Sequence, residues 1–181
     1  MKKIVLVLAA TLATVGLFSC SNGLYDANPD ADYSNIPNPI VPIDNSPAKE
    51  GQIKFKLYDE YELYSNAYFM ELGASRMITG LRTGTTNNYV ISFTITDYSG
   101  VGEYSGLNDK VTATYIVFKD TTIIKTSQVQ QSLFPESHIT LEVKEDTGDR
   151  LTGTFEFKGI NDFGGGDSIV VSEGTFNVKK Q

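Results

Sequence analysis

Apolar and polar residues alternate with a period of two along most of residues 52–181. Apolar side chains recur at alternate positions in four runs, at residues 53–57, 89–95, 139–143 and 151–157. Successive side chains of a strand point to opposite faces, whereas an amphipathic helix repeats its apolar residues every three or four positions. A fifth run, 111–118, is apolar at most positions, which is typical of a more central strand. This pattern predicts an all-β domain, either a single antiparallel β-sandwich or a partly closed β-barrel, with about eight or nine strands.

Residues 57–72 fit two patterns. Leucine or tyrosine occupies positions 57, 61, 64, 68 and 72, a spacing that also suits a helix. We predict two short strands here, around Leu57 and Tyr68, with a short helix as the alternative. Turns are expected where glycine-bearing polar segments separate the runs, at residues 73–75, 100–108, 146–149 and 164–167.

The apolar parity changes within the last run. It is odd at Ile169 and Val171 and even at Phe176 and Val178, and Glu173-Gly174 lies between. One extra residue in a strand shifts the facing of every later side chain. We therefore predict a β-bulge at this point.

The first twenty residues have the features of a secretory signal. Lys2 and Lys3 precede an uncharged apolar run, and the small residue Ser19 stands before Cys20. The run is shorter than the roughly 20 residues that cross a bilayer. Residues 17–20, Leu-Phe-Ser-Cys, resemble a lipobox, and Cys20 is the only cysteine. We expect residues 1–19 to be removed as a lipoprotein signal peptide and Cys20 to carry palmitate-type acyl chains that anchor the chain in membrane lipid.

Residues 20–51 differ in composition from the rest of the chain. They are rich in Asn, Asp and Ser, and five of the six prolines fall here. Such a segment has little apolar surface to bury and favours extended geometry, so we expect a lipidated tether. Residues 52–181 have the size of one domain. We expect the chain to be lipid-anchored at the bacterial outer membrane, either exposed at the surface or facing the periplasm.

Several strand and turn motifs resemble those of a known family. Residues 151–157, Leu-Thr-Gly-Thr-Phe-Glu-Phe, and 169–178, Ile-Val-Val-Ser-Glu-Gly-Thr-Phe-Asn-Val, resemble the closing hairpin of a family of small Bacteroidota lipoproteins. Residues 78–80, 91–96 and 100–104 are similar to that family's pattern as well. The family is defined as a domain of unknown function. The resemblance implies an all-β fold at the cell envelope and supplies no catalytic residues to carry over.

The motifs that could support catalysis or metal binding have simpler explanations. His138 is the single histidine and is expected at a strand surface. Asp146-Thr147-Gly148 has the letters of an aspartic protease, but its charged neighbours indicate a polar hairpin turn. The acidic residues at 26–32 lack the glycine and glutamate of a calcium loop. We predict a protein that is not an enzyme, with no cofactor and no bound metal.

Charge narrows the class of partner. The chain has 15 basic and 22 acidic residues, a net charge of −7. Removal of Lys2 and Lys3 would leave 13 basic against 22 acidic residues, or −9. A surface of this sign repels polyphosphate backbones, so nucleic acid is excluded as an expected partner.

Tyrosine residues are the candidate ligand contacts. Aromatic rings with a polar tip are favoured at binding surfaces, including sugar platforms, although they are also ordinary strand residues. The candidates fall in a cluster and around a glycine-rich loop, and they are Tyr58, Tyr61, Tyr64, Tyr68, Tyr98 and Tyr104. Thr121 and Ser168 each follow an aspartate in a triplet that resembles the O-glycosylation signal of exported Bacteroidota proteins.

These observations favour a non-catalytic binding or accessory module presented at the bacterial envelope. Its expected partners are an outer-membrane protein or a glycan. Two alternatives stay open. One is a structural subunit of an adhesive or envelope assembly that pairs through strand edges. The other is a lipocalin-like carrier that encloses a small lipophile.

Overall fold

The computed structural model describes residues 46–161 and 168–181, without the side chains of residues 108 and 161. These residues belong to one compact unit, Val41–Gln181. Cys20 and the predicted signal peptide lie outside the described residues, as does most of the predicted tether.

The described chain is built from eleven strands and one 3₁₀ turn. The strands are β1 (Gln52–Leu57), β2 (Glu60–Tyr64), β3 (Asn66–Leu72), β4 (Ser75–Thr83), β5 (Asn88–Ile95), β6 (Gly102–Ser105), β7 (Val111–Lys119), β8 (Thr122–Val129), β9 (His138–Asp146), β10 (Arg150–Asn161) and β11 (Ser168–Lys180). The 3₁₀ turn is Leu107–Asp109.

All eleven strands join in one mixed sheet, which has two halves. The six-strand half pairs in the order β2-β1-β11-β10-β9-β6, and the five-strand half in the order β3-β4-β5-β7-β8. Two short seams of two residue pairs each connect them. Strands β11 and β3 run parallel at one seam, and β8 and β10 run antiparallel at the other. The pairings therefore form a closed circuit through β3, β4, β5, β7, β8, β10 and β11.

The core lies between the two halves. Phe93 of β5 packs its ring 4.5 Å from Phe155 and 6.1 Å from Phe157 of β10, measured between centroids. Phe55 of β1 lies 6.0 Å from Phe155. Full burial of such a side chain contributes about 1.5–3 kcal/mol. These inward positions alternate with outward ones, as the period of two predicts.

The all-β prediction is confirmed, but the predicted strand number and purely antiparallel pairing are wrong. Strands β2, β4, β6 and β8 were not predicted. Strand β6 lies inside the segment 100–108 that was expected to be a turn. The parallel pair arises because β11 continues beyond its pairing with β1, which ends at Asn177, and at Lys179 and Lys180 meets β3, which belongs to the other half.

The two local predictions have clear outcomes. Residues 57–72 contain the end of β1, all of β2 and β3, so the helical alternative is wrong and the two predicted strands, around Leu57 and Tyr68, are joined by a third between them. The predicted bulge is confirmed, because β11 has one residue more than β1 and β10 between Val171 and Thr175. On either side of the bulge, Val171 and Phe176 both reach the core despite their different parity.

Candidate functional site

A cleft of about 410 Å³ lies on the outer face of the six-strand half. Cross-strand pairing sets two rows of outward side chains next to each other, one row through Glu142 and Thr154 and the next through Thr140 and Glu156. The cleft is lined by Ser46, Lys54, Tyr61, Glu103, Thr140, Glu142, Thr154, Phe155, Glu156, Glu173, Gly174 and Thr175.

The β11 bulge directs Glu173 into this cleft. Glu173 has a φ of 50°, in the left-handed region that side-chain-bearing residues seldom adopt. Gly174 follows it, and a Cβ there would lie 2.5 Å from the carbonyl oxygen of Phe155 and 2.6 Å from its ring. Bulges beside binding sites commonly re-aim a side chain, and local strain concentrates there.

The carboxylate of Glu173 is bonded by two neighbouring strands. Lys56 of β1 places its Nζ 2.5 Å from Oε1, and the Tyr61 hydroxyl of β2 donates a hydrogen bond of 2.5 Å to Oε2. The ammonium groups of Lys56 and Lys54 lie 4.9 and 5.2 Å from the centroid of the Tyr61 ring, within cation–π range. Tyr61 is therefore held at its hydroxyl and over its ring.

These contacts fix the protonation states of the cluster. The hydrogen bonds from Lys56 and Tyr61 hold the pKa of Glu173 below its usual range. In return, the hydrogen bond with Glu173 raises the pKa of Lys56 and of Tyr61. At neutral pH the cluster is thus a carboxylate, an ammonium and a neutral phenol.

Residues 46–51, called the entry segment below, bring Ser46 into the lining of the cleft. The Nζ of Lys54 donates a hydrogen bond of 2.7 Å to the carbonyl of Ser46. Ala48 is buried, and its backbone N–H donates to the Thr175 hydroxyl at 3.0 Å. The Gly51 N–H donates to the carbonyl of Asn177 at 2.8 Å. These bonds place the entry segment firmly against the sheet beside β11.

The opposite end of the cleft is acidic. Glu103 of β6 and Glu142 of β9 are directly opposed across their strands. Like charges in this position repel. Glu142 accepts a hydrogen bond of 3.3 Å from Thr154, and Lys144 lies 3.4 Å from it at the exposed rim.

The lining of the cleft contains both hydrogen-bond donors and hydrogen-bond acceptors. It contains three threonine hydroxyls, four carboxylates, the Tyr61 phenol and the Lys54 ammonium. Within the part of the chain that the structure describes, no group of three or more His, Cys, Asp or Glu is placed to hold a metal ion. The arrangement suits a ligand with many hydroxyl groups.

Tyr61 is the one predicted tyrosine that lines this cleft. Tyr58 is 53% exposed and lies elsewhere, and its hydroxyl donates to the Ser168 carbonyl at 3.0 Å. Tyr64 and Tyr68 are buried, and desolvation raises the pKa of both. The predicted tyrosine cluster is therefore divided between the outer face and the core.

Tyr98 and Tyr104 stack on each other and tie loops to the sheet. Their ring centroids lie 5.7 Å apart. Tyr98 donates a hydrogen bond of 2.8 Å to Asp146, and Tyr104 donates one of 2.6 Å to the Gly100 carbonyl. Burial raises the pKa of Tyr98. Both hydroxyls are used inside the fold.

The other singled-out residues lie away from the cleft. Thr121 is exposed in the turn between β7 and β8, and Ser168 is half-buried at the first position of β11. His138 is exposed at the start of β9. The predicted hairpin turn after β9 is confirmed, since the Gly148 N–H donates to the Asp146 carboxylate at 2.7 Å.

Most cleft residues were not singled out from the sequence. Glu142 and Glu156 lie within the alternating runs 139–143 and 151–157, and Glu173 was named only as a bulge position. Their convergence depends on the order β1-β11-β10-β9-β6, and alternation within one strand says nothing about which strand lies beside it. Information on which strands pair with each other would have been needed to predict the site.

Comparisons of the chain with family models, curated proteins and solved structures return no match. The resemblance to small Bacteroidota lipoproteins therefore stays a prediction. Within residues 46–161 and 168–181, no helix combines the length and apolarity needed to cross a membrane.

Proposed function

We propose that this protein is a non-catalytic carbohydrate-binding module, held at the outer membrane of a bacterial envelope by a lipidated Cys20. The observation that carries the binding function is the placement of Tyr61, held by Glu173 and two lysines, beside two rows of hydroxyls and carboxylates. The envelope position is supported by the signal-like residues 1–19 and the position of the single cysteine.

Carbohydrate is the ligand class that matches this lining. Sugar hydroxyls both donate and accept, and threonine hydroxyls with carboxylates offer the complementary groups. The apolar face of a sugar ring packs against an aromatic side chain. A rigid tyrosine provides such a surface at low cost in conformational entropy. The volume of about 410 Å³ lies in the range of small-molecule sites.

The state of Glu173 supports a binding role over hydrolysis. Glycoside hydrolysis needs one carboxyl group that stays protonated near neutral pH as the general acid. Both oxygens of Glu173 are instead bonded to donors, and these donors lower its pKa. The group holds Tyr61 in place rather than supplying a proton.

The closed circuit of pairings supports describing the fold as a partly closed barrel. Its interior is occupied by aromatic side chains, with Phe93 packed against Phe155 and Phe157. This packing favours binding on the outer face over a carrier that encloses a lipophile.

A structural role in an envelope assembly is the second candidate. Strands β2 and β6 end the pairing order, so each presents one edge that could pair with another chain. Glu60 and Glu62 on β2 and the shortness of β6 oppose such pairing. Sedimentation of the protein as a strict monomer would count against this candidate.

Titration with oligosaccharides tests the carbohydrate proposal. The full chain, purified in detergent, is titrated with cellohexaose, mannohexaose and chitohexaose in a calorimeter. We expect at least one to bind, and Tyr61→Ala to weaken it about tenfold or more, the equivalent of about 1.4 kcal/mol of lost contact.

Tyr58→Ala is the matched control, because Tyr58 is an exposed tyrosine outside the cleft. We expect it to bind like the unaltered chain. Absence of binding to all three oligosaccharides, or equal losses in the two variants, would contradict the proposal.

A further inference from the structure

We propose that Glu173 sets the charge selectivity of the cleft, so that the cleft accepts uncharged oligosaccharides and rejects the same sugars carrying carboxylates. This inference rests on the proposed carbohydrate-binding function. It assigns a specificity-determining role to one residue of the β11 bulge.

The ammonium groups beside Tyr61 are already bonded within the protein. Lys54 is 5% exposed and donates to the Ser46 carbonyl at 2.7 Å. Lys56 is ion-paired with Glu173 at 2.5 Å. An anionic ligand would have to compete with these partners for a charge-assisted bond of its own.

The bulge determines that Lys56 is neutralised. In the β1–β11 register, Lys56 is paired with Ser172, which has no charge to offer. The extra residue brings the carboxylate of Glu173 within reach of both Lys56 and Tyr61. Glu173 therefore has two effects, to hold the tyrosine platform and to remove a cation from the ligand's reach.

The remaining charges of the lining act in the same direction. Glu103, Glu142 and Glu156 lie along the far side of the cleft. The Nζ of Lys144 lies 3.4 Å from the Glu142 carboxylate, and both side chains are about half exposed. The lining has four carboxylates and one ammonium group, so a ligand with several carboxylates would meet net negative charge, whereas a neutral one would meet hydrogen-bonding groups.

A matched pair of sugars tests the selectivity. Cellohexaose and mannohexaose are each titrated against the full chain in detergent, together with their C6-oxidised forms, which differ only by carboxylates. We expect the oxidised form to bind the unaltered chain at least about tenfold more weakly than its neutral parent. In Glu173→Gln, which frees Lys56, we expect this ratio to change by about tenfold in favour of the oxidised sugar.

Two further variants separate selectivity from general effects. Glu71→Gln removes the same charge from a glutamate that is ion-paired with Arg76 and Lys180 outside the cleft, and we expect the ratio to stay unchanged. Adding Lys56→Met to Glu173→Gln should reverse the gain, because the freed ammonium is then absent. A loss of structure alone would not produce this reversal.

The outcomes distinguish the two proposals. If the unaltered chain binds a neutral sugar but Glu173→Gln leaves the ratio within twofold, the selectivity inference is overturned and the carbohydrate proposal stands. If the oxidised sugar binds the unaltered chain as well as its parent, the inference is likewise overturned. If neither form of either sugar binds, the selectivity inference is overturned, and the carbohydrate proposal is contradicted as well when chitohexaose also fails to bind.

Discussion

Glu173 combines an unfavourable backbone conformation with side-chain contacts that hold it there. A left-handed conformation costs a side-chain-bearing residue roughly 1–2 kcal/mol. The contacts with Lys56 and Tyr61 lie at the surface, where solvent screens an ion pair and leaves it little net stabilisation. The residue is thus retained at little benefit to stability, which is the pattern expected of a functional position.

Replacement by glycine separates these two effects. Glu173→Gly relieves the left-handed strain but removes the bonds to Lys56 and Tyr61. We expect the free energy of unfolding to change by less than about 1 kcal/mol, and oligosaccharide binding to weaken clearly. Urea denaturation and calorimetric titration measure the two quantities. A large loss of stability would show that the contacts outweigh the strain.

The pH dependence of this contact has a definite sign. The pKa of Glu173 is lower in the folded chain than its ordinary value of 4.5, because Lys56 and Tyr61 donate hydrogen bonds to the carboxylate. Its contribution to stability is therefore present above pH 4.5 and lost as the pH falls through the lowered pKa. We expect any stability difference between the unaltered chain and Glu173→Gln to shrink as denaturation is repeated from pH 6 downward. A difference that grows on acidification would contradict this assignment.

At the scale of elements, β10 shows how a glycine fixes strand packing. Gly153 lies opposite Phe176 of β11, and the Phe176 ring occupies the space where a side chain would stand. A Cβ at Gly153 would also overlap the backbone carbonyl oxygen of Glu142 on β9. Because Gly153 has no side chain, the Phe176 ring of β11 and the backbone of β9 can both lie close to β10.

Two alanine substitutions in this strand test the packing. Gly153→Ala should destabilise the fold by about 1–3 kcal/mol or more, because it forces backbone and ring to move. Gly159→Ala is the control, since a Cβ there would meet its nearest atom, in Ile169, at 3.3 Å. We expect a loss below about 1 kcal/mol for Gly159→Ala. Equal thermal denaturation midpoints for the two variants would contradict this account.

Periodicity predicted the strands that have one apolar face and missed those that do not. In β8, Thr126 and Ser127 are buried polar residues, and in β4 the buried run includes Thr79 and Gly80, so neither strand alternates cleanly. Strand β6 has four residues, too few to show a period. The bulge could be predicted because the apolar positions change from odd to even within a single strand. The cleft could not be predicted, because six strands contribute to it and the local sequence pattern does not say which strands are neighbours.

For the whole molecule, the burial of tyrosine side chains makes the stability of the fold depend on pH in the alkaline range. Burial raises the pKa of Tyr115 to about 12 and raises those of Tyr64 and Tyr98 as well. A group whose pKa is raised by folding stabilises the folded state below its unfolded pKa, and this stabilisation is lost as the pH rises through the folded pKa.

Alkaline titration of the full chain checks this expectation. We expect the absorbance of ionised tyrosine to rise in two stages in the folded protein, with a late stage well above pH 10 that coincides with loss of the β signal in circular dichroism. The chain unfolded in urea should titrate in one stage near pH 10. A single early stage in the folded protein would show that these phenols are accessible.

The entry segment connects the cleft to the chain that precedes the domain. Ser46 is joined to Lys54 by a hydrogen bond, and Lys54 lies over Tyr61. Tension applied to the chain ahead of Ser46 would therefore act on the bond between Ser46 and Lys54, in the lining of the cleft. If Cys20 is fixed in a membrane and the ligand is fixed to another surface, the site of capture would be the first part of the domain to experience the pull. The lifetime of the attachment under flow would then depend on the entry segment as well as on the ligand contacts.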